Sequence, residues 1–328
     1  MKNLVQKFPE TLLEGLAIGL KADIKKHSAP IRSVHISGLG GSAIGGNYVQ
    51  DFVRNECPLP VVVSKGYSIP EWVGKNTLAI FSSYSGNTEE TLSALEQAIP
   101  TGAKIVCIAS GGKLIELAKK HGFDFVQVPG GWPSPRACMG FSIAAQLCIF
   151  KKMRLIGGQI LKDFKNAARL LKKEQKSIEK RAQQIAQFFD GKTPIIYTTD
   201  RMESVAVRFR QQVNENAKLL CWHHVVPEMN HNELVGWRTE DPKLAVIFFR
   251  NHDDFARNQA RIDLNKEIIG HFTGSLIEVF SNGNSLVEQA FYFTHLGDYV
   301  SCFLAELRGV DPIEIKVIDY LKSELGKV

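Results

Sequence analysis

The sequence lacks three features that would each point to a particular class of protein. Its six cysteines are scattered, with no CxxC pair, at positions 57, 107, 138, 148, 221 and 302. In a chain of 328 residues this spacing favours reduced thiols over a disulfide framework. No apolar run reaches transmembrane length, and the opening stretch has no apolar core of the kind found in signal peptides. These absences predict a cytoplasmic protein with no membrane partner.

A basic stripe is missing as well. The chain has 40 basic and 34 acidic side chains, and its net charge of +6 suits an anionic ligand. The densest basic segment, at 165–181, also contains glutamates and has the pattern of a solvated helix face. Nucleic-acid binding would be favoured by basic residues interleaved with aromatic ones. We therefore expect no nucleic-acid partner.

Short segments rich in valine and isoleucine are abundant, and most are followed by an amphipathic segment. Those in the first half predict strands at 33–38, 60–63, 77–83, 104–110 and 123–128. A long amphipathic helix at about 160–189 precedes the strands predicted in the second half, at 193–199, 243–249 and 275–280. Buried strands that alternate with helices are typical of parallel sheets covered on both faces. We predict an α/β protein with two αβα sandwich domains, over residues 1–153 and 154–328.

The densest group of hydroxyls, SSYSGNTEET, directly follows the predicted strand that contains TLAIF. One interpretation is a helix cap, in which Ser85 or Thr88 accepts a hydrogen bond from a backbone N–H of the next helix. The other is an anion site, because hydroxyls and free N–H groups meet at the positive end of a helix dipole. From these residues alone both interpretations stay open.

A second loop, GLGGSAIGG at 38–46, follows the first predicted strand and opens a helix. Gly38, Gly40 and Ala43 match a dinucleotide-binding pattern. That pattern requires an acidic residue at the end of the second strand, where this chain has Ser64 and Lys65. A dinucleotide site does not need the hydroxyl-rich loop that follows another strand. Both loops together suit a sugar phosphate, so we favour a sugar phosphate as the ligand.

Together the two loops resemble the sugar isomerase (SIS) domain, in which a serine- and threonine-rich loop surrounds the phosphate of a sugar. The resemblance implies two SIS-type domains. It also implies a role for the glycine loop, through Gly40, Gly41 and Ser42, in substrate binding. The phosphate ligands implied by the resemblance are Ser83, Ser85 and Thr88, supported by Ser82 and Asn87.

The second half contains a polar segment at 210–237 with several candidate catalytic residues. Glu215 lies in NENAK and His231 lies in PEMNHNEL. A helical glutamate is most often solvated, and a histidine at such a turn can simply cap it. Glu228 and His231 also have the i, i+3 spacing of carboxylate-bridged metal sites, but such sites need a second copy and further carboxylates. The adjacent His223 and His224 would point to different sides of a regular element, so we expect no metal.

The whole set of motifs resembles the bifunctional phosphoglucose/phosphomannose isomerases. Their order of motifs is matched by GLGGSAIGG, SYSGNTEET, PSPRA, NENAK, PEMNHNELVGW and a lysine-bearing terminal helix. The resemblance implies reversible conversion of glucose 6-phosphate and mannose 6-phosphate into fructose 6-phosphate, without a cofactor. It also implies a homodimer in which His231 reaches the active site of the neighbouring subunit.

Catalytic roles follow from the same resemblance. Glu215 would move a proton between C2 and C1, and His231 would open the sugar ring. Arg136 would stabilise the negatively charged cis-enediolate between these steps. Lys322 would assist ring opening, although Lys316 lies nearby on the same predicted helix. A histidine suits ring opening because it exchanges protons near neutral pH, and a fixed guanidinium suits the enediolate.

Other functions remain possible from the residues. A regulatory SIS module would bind a sugar phosphate without turning it over, but such modules usually accompany a DNA-binding or kinase-binding part that is not visible in the sequence. An SIS isomerase acting on an amino sugar or another phosphosugar is a further alternative. A zinc-dependent mannose phosphate isomerase suits neither the α/β pattern nor the ligand set.

Overall fold

The computed structural model describes residues 1–327. Its strands are β1 (Ser33–Ser37), β2 (Val61–Ser64), β3 (Thr77–Ser82), β4 (Lys104–Ala109), β5 (Asp124–Gln127), β6 (Thr193–Thr199), β7 (Trp222–Val226), β8 (Leu244–Arg250) and β9 (Leu276–Phe280). Its helices are α1 (Lys2–Gln6), α2 (Phe8–Lys21), α3 (Gly40–Val53), α4 (Glu89–Ala98), α5 (Gly112–His121), α6 (Met139–Lys152), α7 (Gln159–Phe189), α8 (Glu203–Ala217), α9 (Ala256–Gly270), α10 (Leu286–Leu307) and α11 (Lys316–Leu325). Every strand predicted from the sequence is present, and so is the long helix.

The chain forms two compact units. The N-terminal unit comprises Gln6–Lys173 and Gly283–Glu288. The C-terminal unit comprises Met1–Val5, Glu174–Asn282 and the chain from Gln289 onward. Helix α7 therefore begins in the first unit and ends in the second. The division predicted from the sequence, between residues 153 and 154, stays a prediction.

The sheet of the N-terminal unit has the strand order β2-β1-β3-β4-β5, and every neighbouring pair is parallel. All of β3 is buried, which explains why TLAIFS is mainly apolar. Strand β1 lies between β2 and β3 in a register that places Ile36 beside Ile80. After β1 the chain adds β2 on one side of it, and then β3, β4 and β5 on the other side, so the order in which strands are added reverses between β1 and β3. We call this place the first switch point, because open α/β sheets bind ligands at the carboxyl ends of strands there.

Helices cover both faces of this sheet. On one face, Phe81 and Cys107 share an apolar cluster with Leu95 of α4. On the other, α3 lies so close to β1 that a Cβ at Gly46 would come within 2.9 Å of Ile36 Cγ2. Successive strand residues point to opposite faces of the sheet, so alternate side chains pack against the helices on each face.

The C-terminal unit has the strand order β7-β6-β8-β9, again with all pairs parallel. Phe248 joins an apolar cluster with Ile262 of α9. The next residue, Phe249, stacks on Phe209 of α8 and Phe293 of α10, with ring centroids 5.5 and 4.3 Å away. Strand β6 lies between β7 and β8 as β1 lies between β2 and β3, so a second switch point falls between β6 and β8. The predicted α/β class with two parallel sheets is confirmed.

Two elements differ from the sequence-based expectation. Strand β7 lies inside the segment 210–237, for which the sequence predicts no strand, because WHHVV has two histidines in place of apolar residues. The apolar pattern PIEIKVIDYLKSELGKV predicts a terminal helix from Pro312, but the helix begins four residues later, at Lys316. Among residues 1–327, no helix is long and apolar enough to cross a membrane.

Candidate functional site

The two loops singled out by the sequence lie at the first switch point. The glycine loop follows β1, and the serine-rich loop follows β3. Neighbouring parallel strands end at the same edge of a sheet, so both loops meet at its carboxyl edge. The segment from residue 128, which leads to Arg136, follows β5 at the same edge. This arrangement gathers a candidate ligand site within the N-terminal unit.

The hydroxyls of Ser83 and Thr88 form the centre of the serine-rich loop. Their oxygens lie 2.8 Å apart and share a hydrogen bond. The backbone N–H of Gly86 donates to Ser83 Oγ over 3.1 Å. Ser83 is buried, Thr88 is half-buried and Ser85 is exposed, so the three side chains run from the interior to the surface. Such a curved set of hydroxyls and N–H groups can hold a phosphate.

Thr88 occupies the N-cap position of α4 without capping it by its side chain. Its hydroxyl is engaged by Ser83 instead, and Ser85 Oγ accepts the N–H of Asn87 over 3.2 Å. The helix-cap interpretation therefore describes the backbone of this loop but not its hydroxyls. The positive end of the α4 dipole remains available to attract an anion.

Glycines allow this loop to touch the loop after β4. Gly86 has φ +72°, and a Cβ there would lie 1.8 Å from the carbonyl oxygen of Gly111. Asn87 Oδ1 accepts the N–H of Lys113, at the start of α5, over 3.1 Å. Residue 86 must be glycine for the loops to approach so closely. Asn87 therefore ties this loop to the start of α5, and its supporting role in phosphate binding stays a prediction.

Ser82 is turned into the protein. It is 1% exposed, and its hydroxyl lies 3.0 Å from Ser142 Oγ on α6. Gln146 Nε2 donates to the same Ser142 oxygen over 3.0 Å. These hydrogen bonds anchor the end of β3 on α6. The side chain of Ser82 therefore points away from the other hydroxyls of the loop and into the protein.

The glycine loop lies beside the turn that carries Arg136. A Cβ at Gly41 would be 3.6 Å from the Cα of Arg136. Gly40 has φ +50°, a backbone conformation that glycine adopts without strain. Ser42 donates its N–H to Leu39 O over 3.0 Å as α3 begins. The structure thus places Gly41, which lies between Gly40 and Ser42 in the chain, against the backbone of Arg136.

Arg136 lies on the short 3₁₀ turn Pro135–Cys138, between β5 and α6. Its side chain is buried, with 7% exposure. A buried guanidinium keeps its charge and presents five donors in a fixed plane. It provides the N-terminal unit with a buried positive charge on the turn that lies against Gly41 of the glycine loop.

Glu215 lies in the last turn of α8, in the C-terminal unit, and is half-buried. Lys218, at the left-handed C-cap with φ +53°, donates from Nζ to the carbonyls of Glu215 and Glu314, over 2.5 and 2.7 Å. Arg308 Nε donates to Ala217 O over 2.9 Å. Cations therefore satisfy carbonyls left unpaired at the end of the helix. Lys218 is the last residue of the NENAK motif, and no role is predicted for it from the sequence.

Helix α8 is also held along its length by α10. Arg208 makes two hydrogen bonds to the carboxylate of Asp298, with Nε–Oδ1 and Nη2–Oδ2 distances of 3.1 and 2.9 Å. Both side chains are buried. Asn216 Nδ2 donates to Ser301 Oγ over 2.8 Å. These contacts fix the helix that presents Glu215.

His231 ends the short turn Glu228–His231 and is exposed. The turn is anchored beneath it by Met229, which is fully buried. Asn230 Nδ2 donates to Asn265 Oδ1 on α9 over 2.6 Å. The imidazole therefore stands on a fixed turn and faces solvent in the isolated chain.

Glu233 secures the other side of this turn. Its Oε1 accepts hydrogen bonds from the hydroxyl of Tyr197 over 2.5 Å and from Trp222 Nε1 over 2.9 Å. Trp237 Nε1 donates to the same Tyr197 oxygen over 3.2 Å. Burial, and next the charge of Glu233, raise the pKa of the Tyr197 hydroxyl, which keeps it protonated as a donor.

Glu228 and His231, whose i, i+3 spacing occurs in carboxylate-bridged metal sites, lie at the two ends of one short turn. Glu228 Oε1 accepts a hydrogen bond from Asn232 Nδ2 over 3.0 Å. Across residues 1–327, no group of three or more histidine, cysteine, aspartate or glutamate side chains has an arrangement that could hold a metal ion.

Lys322 and Lys316 both lie on α11 at exposed positions. The segment before this helix is fastened through the bond from Lys218 to the carbonyl of Glu314. Val317 and Tyr320 of α11 are 82% and 68% exposed, so the helix presents apolar surface to solvent.

The second switch point is filled by a side chain of the protein itself. Asp254 is 5% exposed. Its carboxylate accepts the N–H of Asn251, which follows β8, over 2.8 Å, and the hydroxyl of Thr199, at the end of β6, over 3.0 Å. Ser281 Oγ donates to Asn251 Oδ1 over 2.6 Å. The donors at this position are therefore satisfied by an internal anion.

The fold defines the class of the protein. The C-terminal domain of glucosamine-fructose-6-phosphate aminotransferase from Francisella tularensis superposes with a TM-score of 0.75, covering 94% of this chain and 96% of that one at 15% identity. The family described as "Bacterial phospho-glucose isomerase C-terminal SIS domain" matches residues 178–325. The expected SIS-type architecture is thereby confirmed.

Two full-length relatives specify the family further. A bifunctional phosphoglucose/phosphomannose isomerase from Caldicellulosiruptor bescii is 38% identical, over 99% of this chain and 98% of the relative. Another from Aquifex aeolicus is 36% identical, over 93% and 94%. The chain belongs to the bifunctional phosphoglucose/phosphomannose isomerase family. The resemblance drawn from the sequence motifs is confirmed.

Proposed function

We propose that this chain is an aldose–ketose isomerase that interconverts glucose 6-phosphate and mannose 6-phosphate with fructose 6-phosphate. The observation that carries the proposal is the hydroxyl pair of Ser83 and Thr88 at the first switch point. The chain that contains this pair matches two bifunctional phosphoglucose/phosphomannose isomerases over nearly its full length. The substrate is a hexose 6-phosphate, and no cofactor is required for this chemistry.

The phosphate is bound by Ser83, Ser85 and Thr88, with the positive end of α4 behind them. Ser83 and Thr88 exchange their mutual hydrogen bond for bonds to phosphate oxygens, and Ser85 contributes its exposed hydroxyl. An anion at this end of a helix is stabilised by the dipole and by unpaired N–H groups. Ser82 and Asn87 keep the loop in shape through α6 and α5, respectively.

Ring opening is assigned to His231, with a lysine as its helper. His231 accepts the proton of the C1 hydroxyl and returns a proton to the ring oxygen as the bond between C1 and that oxygen breaks, which gives the open-chain aldose. The helper is Lys322, whose ammonium group contacts the ring oxygen or the C1 hydroxyl. Lys316, also exposed on α11, is the alternative.

Isomerisation is assigned to Glu215 and Arg136. The carboxylate of Glu215 takes the proton from C2 and returns it to C1, while a proton moves from O2 to O1. Substrate and product therefore contain the same atoms. The cis-enediolate between the two transfers carries a negative charge, which a guanidinium already fixed by its surroundings stabilises without reorganisation. The burial of Arg136 at the carboxyl edge supports this role.

We also propose that the active enzyme is a homodimer in which His231 serves the active site of the neighbouring copy. His231 is exposed on an anchored turn, and apolar side chains near it in sequence are exposed as well. Leu220 is 84% exposed, Val235 60% and Trp222 38%. Exposed apolar surface of this kind is typical of protein interfaces. The unpaired cysteines of the described residues support a cytoplasmic location.

The test is fructose 6-phosphate formation from each sugar phosphate in the presence of a chelator. We expect product from both glucose 6-phosphate and mannose 6-phosphate. Product from glucose 6-phosphate alone would remove the mannose activity. Binding of a sugar phosphate without turnover would favour the regulatory SIS module instead, and turnover of glucosamine 6-phosphate alone would favour an amino-sugar isomerase.

The variant Glu215→Gln tests the proposed proton transfer. It keeps the shape of the side chain but cannot take a proton, so we expect turnover to fall by about 100-fold or more while inorganic phosphate still inhibits or binds with unchanged affinity. Glu203→Gln, at an exposed position in the first turn of the same helix, is the matched control. Full activity of Glu215→Gln would remove the proposed mechanism.

A further inference from the structure

Tyr84 connects the serine-rich loop, which follows β3, to the segment that carries Arg136. It lies between Ser83 and Ser85, and its side chain reaches the loop that follows β5. Its hydroxyl donates to Pro129 O over 3.1 Å and accepts the N–H of Trp132 over 3.2 Å. One phenol therefore satisfies two backbone groups of a glycine-rich loop.

The main chain of Tyr84 is fixed as firmly as its ring. Its carbonyl oxygen accepts two hydrogen bonds from Ser110, from Oγ over 2.7 Å and from N–H over 2.9 Å. Ser110 O in turn accepts Gln127 Nε2, at the end of β5, over 3.0 Å. A displacement of the serine-rich loop must therefore move the phenol, and the phenol cannot move without breaking its bonds to the next loop.

The loop held by Tyr84 leads directly into the turn of Arg136. Trp132 packs edge-on against Phe141 of α6, with ring centroids 5.8 Å apart. The backbone of Arg136 lies four residues further on, against Gly41 of the glycine loop. The turn of Arg136 thus follows a loop that Tyr84 holds by two backbone groups and that α6 holds through the ring of Trp132.

We propose that Tyr84 is a positioning residue that transmits phosphate binding at Ser83 and Thr88 to the guanidinium of Arg136. This inference rests on the proposed function, in which those hydroxyls hold the phosphate and Arg136 faces the enediolate. Binding energy from a part of the substrate that does not react is used to orient the group that stabilises the transition state.

The chemistry of the phenol suits this role. Burial raises the pKa of the Tyr84 hydroxyl to about 12, so it stays a donor to Pro129 O at any physiological pH. Phenylalanine at this position keeps the ring and removes only the hydroxyl. Pro129 O and the Trp132 N–H then lose their partner, and the loop between β5 and the Arg136 turn gains freedom.

The experiment compares Tyr84→Phe with the wild type and with Tyr67→Phe. Tyr67 is 48% exposed, and its hydroxyl makes no hydrogen bond with residues 1–327, so its variant controls for loss of a phenol. We expect Tyr84→Phe to lower kcat about tenfold. The inhibition constant of inorganic phosphate should stay within twofold of the wild-type value, and Tyr67→Phe should behave as the wild type.

A double-mutant cycle with Arg136→Gln shows whether Tyr84 acts through Arg136. If it does, adding Tyr84→Phe to Arg136→Gln lowers kcat by less than twofold, because the group to be positioned is already gone. Independent, multiplying losses would overturn the inference. So would an unchanged kcat in Tyr84→Phe, or a loss confined to phosphate affinity. Absence of turnover in the wild type would instead overturn the proposed function, so the two failures are distinct.

Discussion

The hydroxyls of Ser83 and Thr88 lie 2.8 Å apart and bridge the first and last residues of the loop after β3. The contact closes the loop before any ligand arrives. A loop that is closed in advance loses little conformational entropy on binding. In the proposed function, the hydrogen bond between the two residues therefore holds the loop in shape until a phosphate replaces it.

We expect Ser83→Ala to weaken substrate binding more than catalysis. The variant removes a donor to a charged group and the acceptor of the Gly86 N–H, a loss of about 1.5–3 kcal/mol, or roughly 10- to 100-fold in KM. Ser93→Ala, which removes a hydroxyl on α4 that donates to Tyr67 O, is the control. Steady-state kinetics provides the measurement. An unchanged KM for glucose 6-phosphate would contradict the phosphate assignment.

Glu233 is expected to act on catalysis by holding the His231 turn. Glu233→Leu leaves Trp222 Nε1 and the Tyr197 hydroxyl without their acceptor, so the turn loosens. We expect kcat to fall about tenfold and the free energy of unfolding to fall by about 1–3 kcal/mol. Glu233→Gln retains an acceptor oxygen and should recover most of both. Kinetics and denaturant titration measure the two quantities, and wild-type kcat in Glu233→Leu would refute this role.

The buried pair of Arg208 and Asp298 is expected to dominate the stability of α8. Arg208→Leu leaves the Asp298 carboxylate buried without its partner, which costs about 3–5 kcal/mol in free energy of unfolding. Glu324→Gln breaks the exposed pair with Lys327, which is worth about 0–1 kcal/mol. Urea unfolding of the two variants compares these costs. Equal losses would show that burial does not govern the strength of the pair.

Buried histidines are expected to make the protein less stable as the pH falls. Burial lowers the pKa of His35 from 6.5 to about 4. Its Nε2 lies 3.0 Å from Ser64 Oγ in the N-terminal unit. The unfolded chain binds a proton near pH 6.5 while the folded chain stays neutral until about pH 4. Stability is therefore full above pH 6.5 and is lost between these values, by on the order of 3 kcal/mol for this residue.

The measurement is the free energy of unfolding between pH 7 and pH 4.5 for the wild type and His35→Gln. His35 is one of three histidines whose pKa is lowered by burial. The pKa of His223 is lowered to about 4 and that of His295 to about 3, and both residues remain in the variant. We expect a shallower decline with pH in the variant and a residual decline from the other two. Parallel curves would show that His35 does not contribute.

The sequence allowed the fold and the position of the serine-rich loop to be predicted because their signals are local. Buried strands such as TLAIFS are continuous apolar runs, and SSYSGNT places its hydroxyls next to one another. Strand β7 was missed because an edge strand in which two of five residues are histidine carries no such signal. The inward turn of Ser82 depends on its α6 neighbour, which the sequence places 60 residues away.

Contacts between distant segments account for the rest of what was missed. Tyr84 meets Pro129 across 45 residues, and Lys218 meets Glu314 across 96. No periodicity or motif in a single sequence records such distances. Tyr84 and Lys218 hold backbone segments next to the candidate site residues. Their partners are brought close by the fold and not by their spacing along the chain.

The carboxylate of Asp254 joins the strand ends at the second switch point without a dissolved ligand. A ligand stabilises a fold in proportion to the logarithm of its concentration, but an anion joined covalently to the chain can be neither diluted nor displaced by a competitor. Phosphorylated sugars should therefore slow amide hydrogen exchange around β1 and β3 and leave the strand ends near Thr199 and Asn251 unaffected. We therefore expect the first switch point to respond to ligand concentration, whereas the carboxylate of Asp254 holds the strand ends at the second without a ligand.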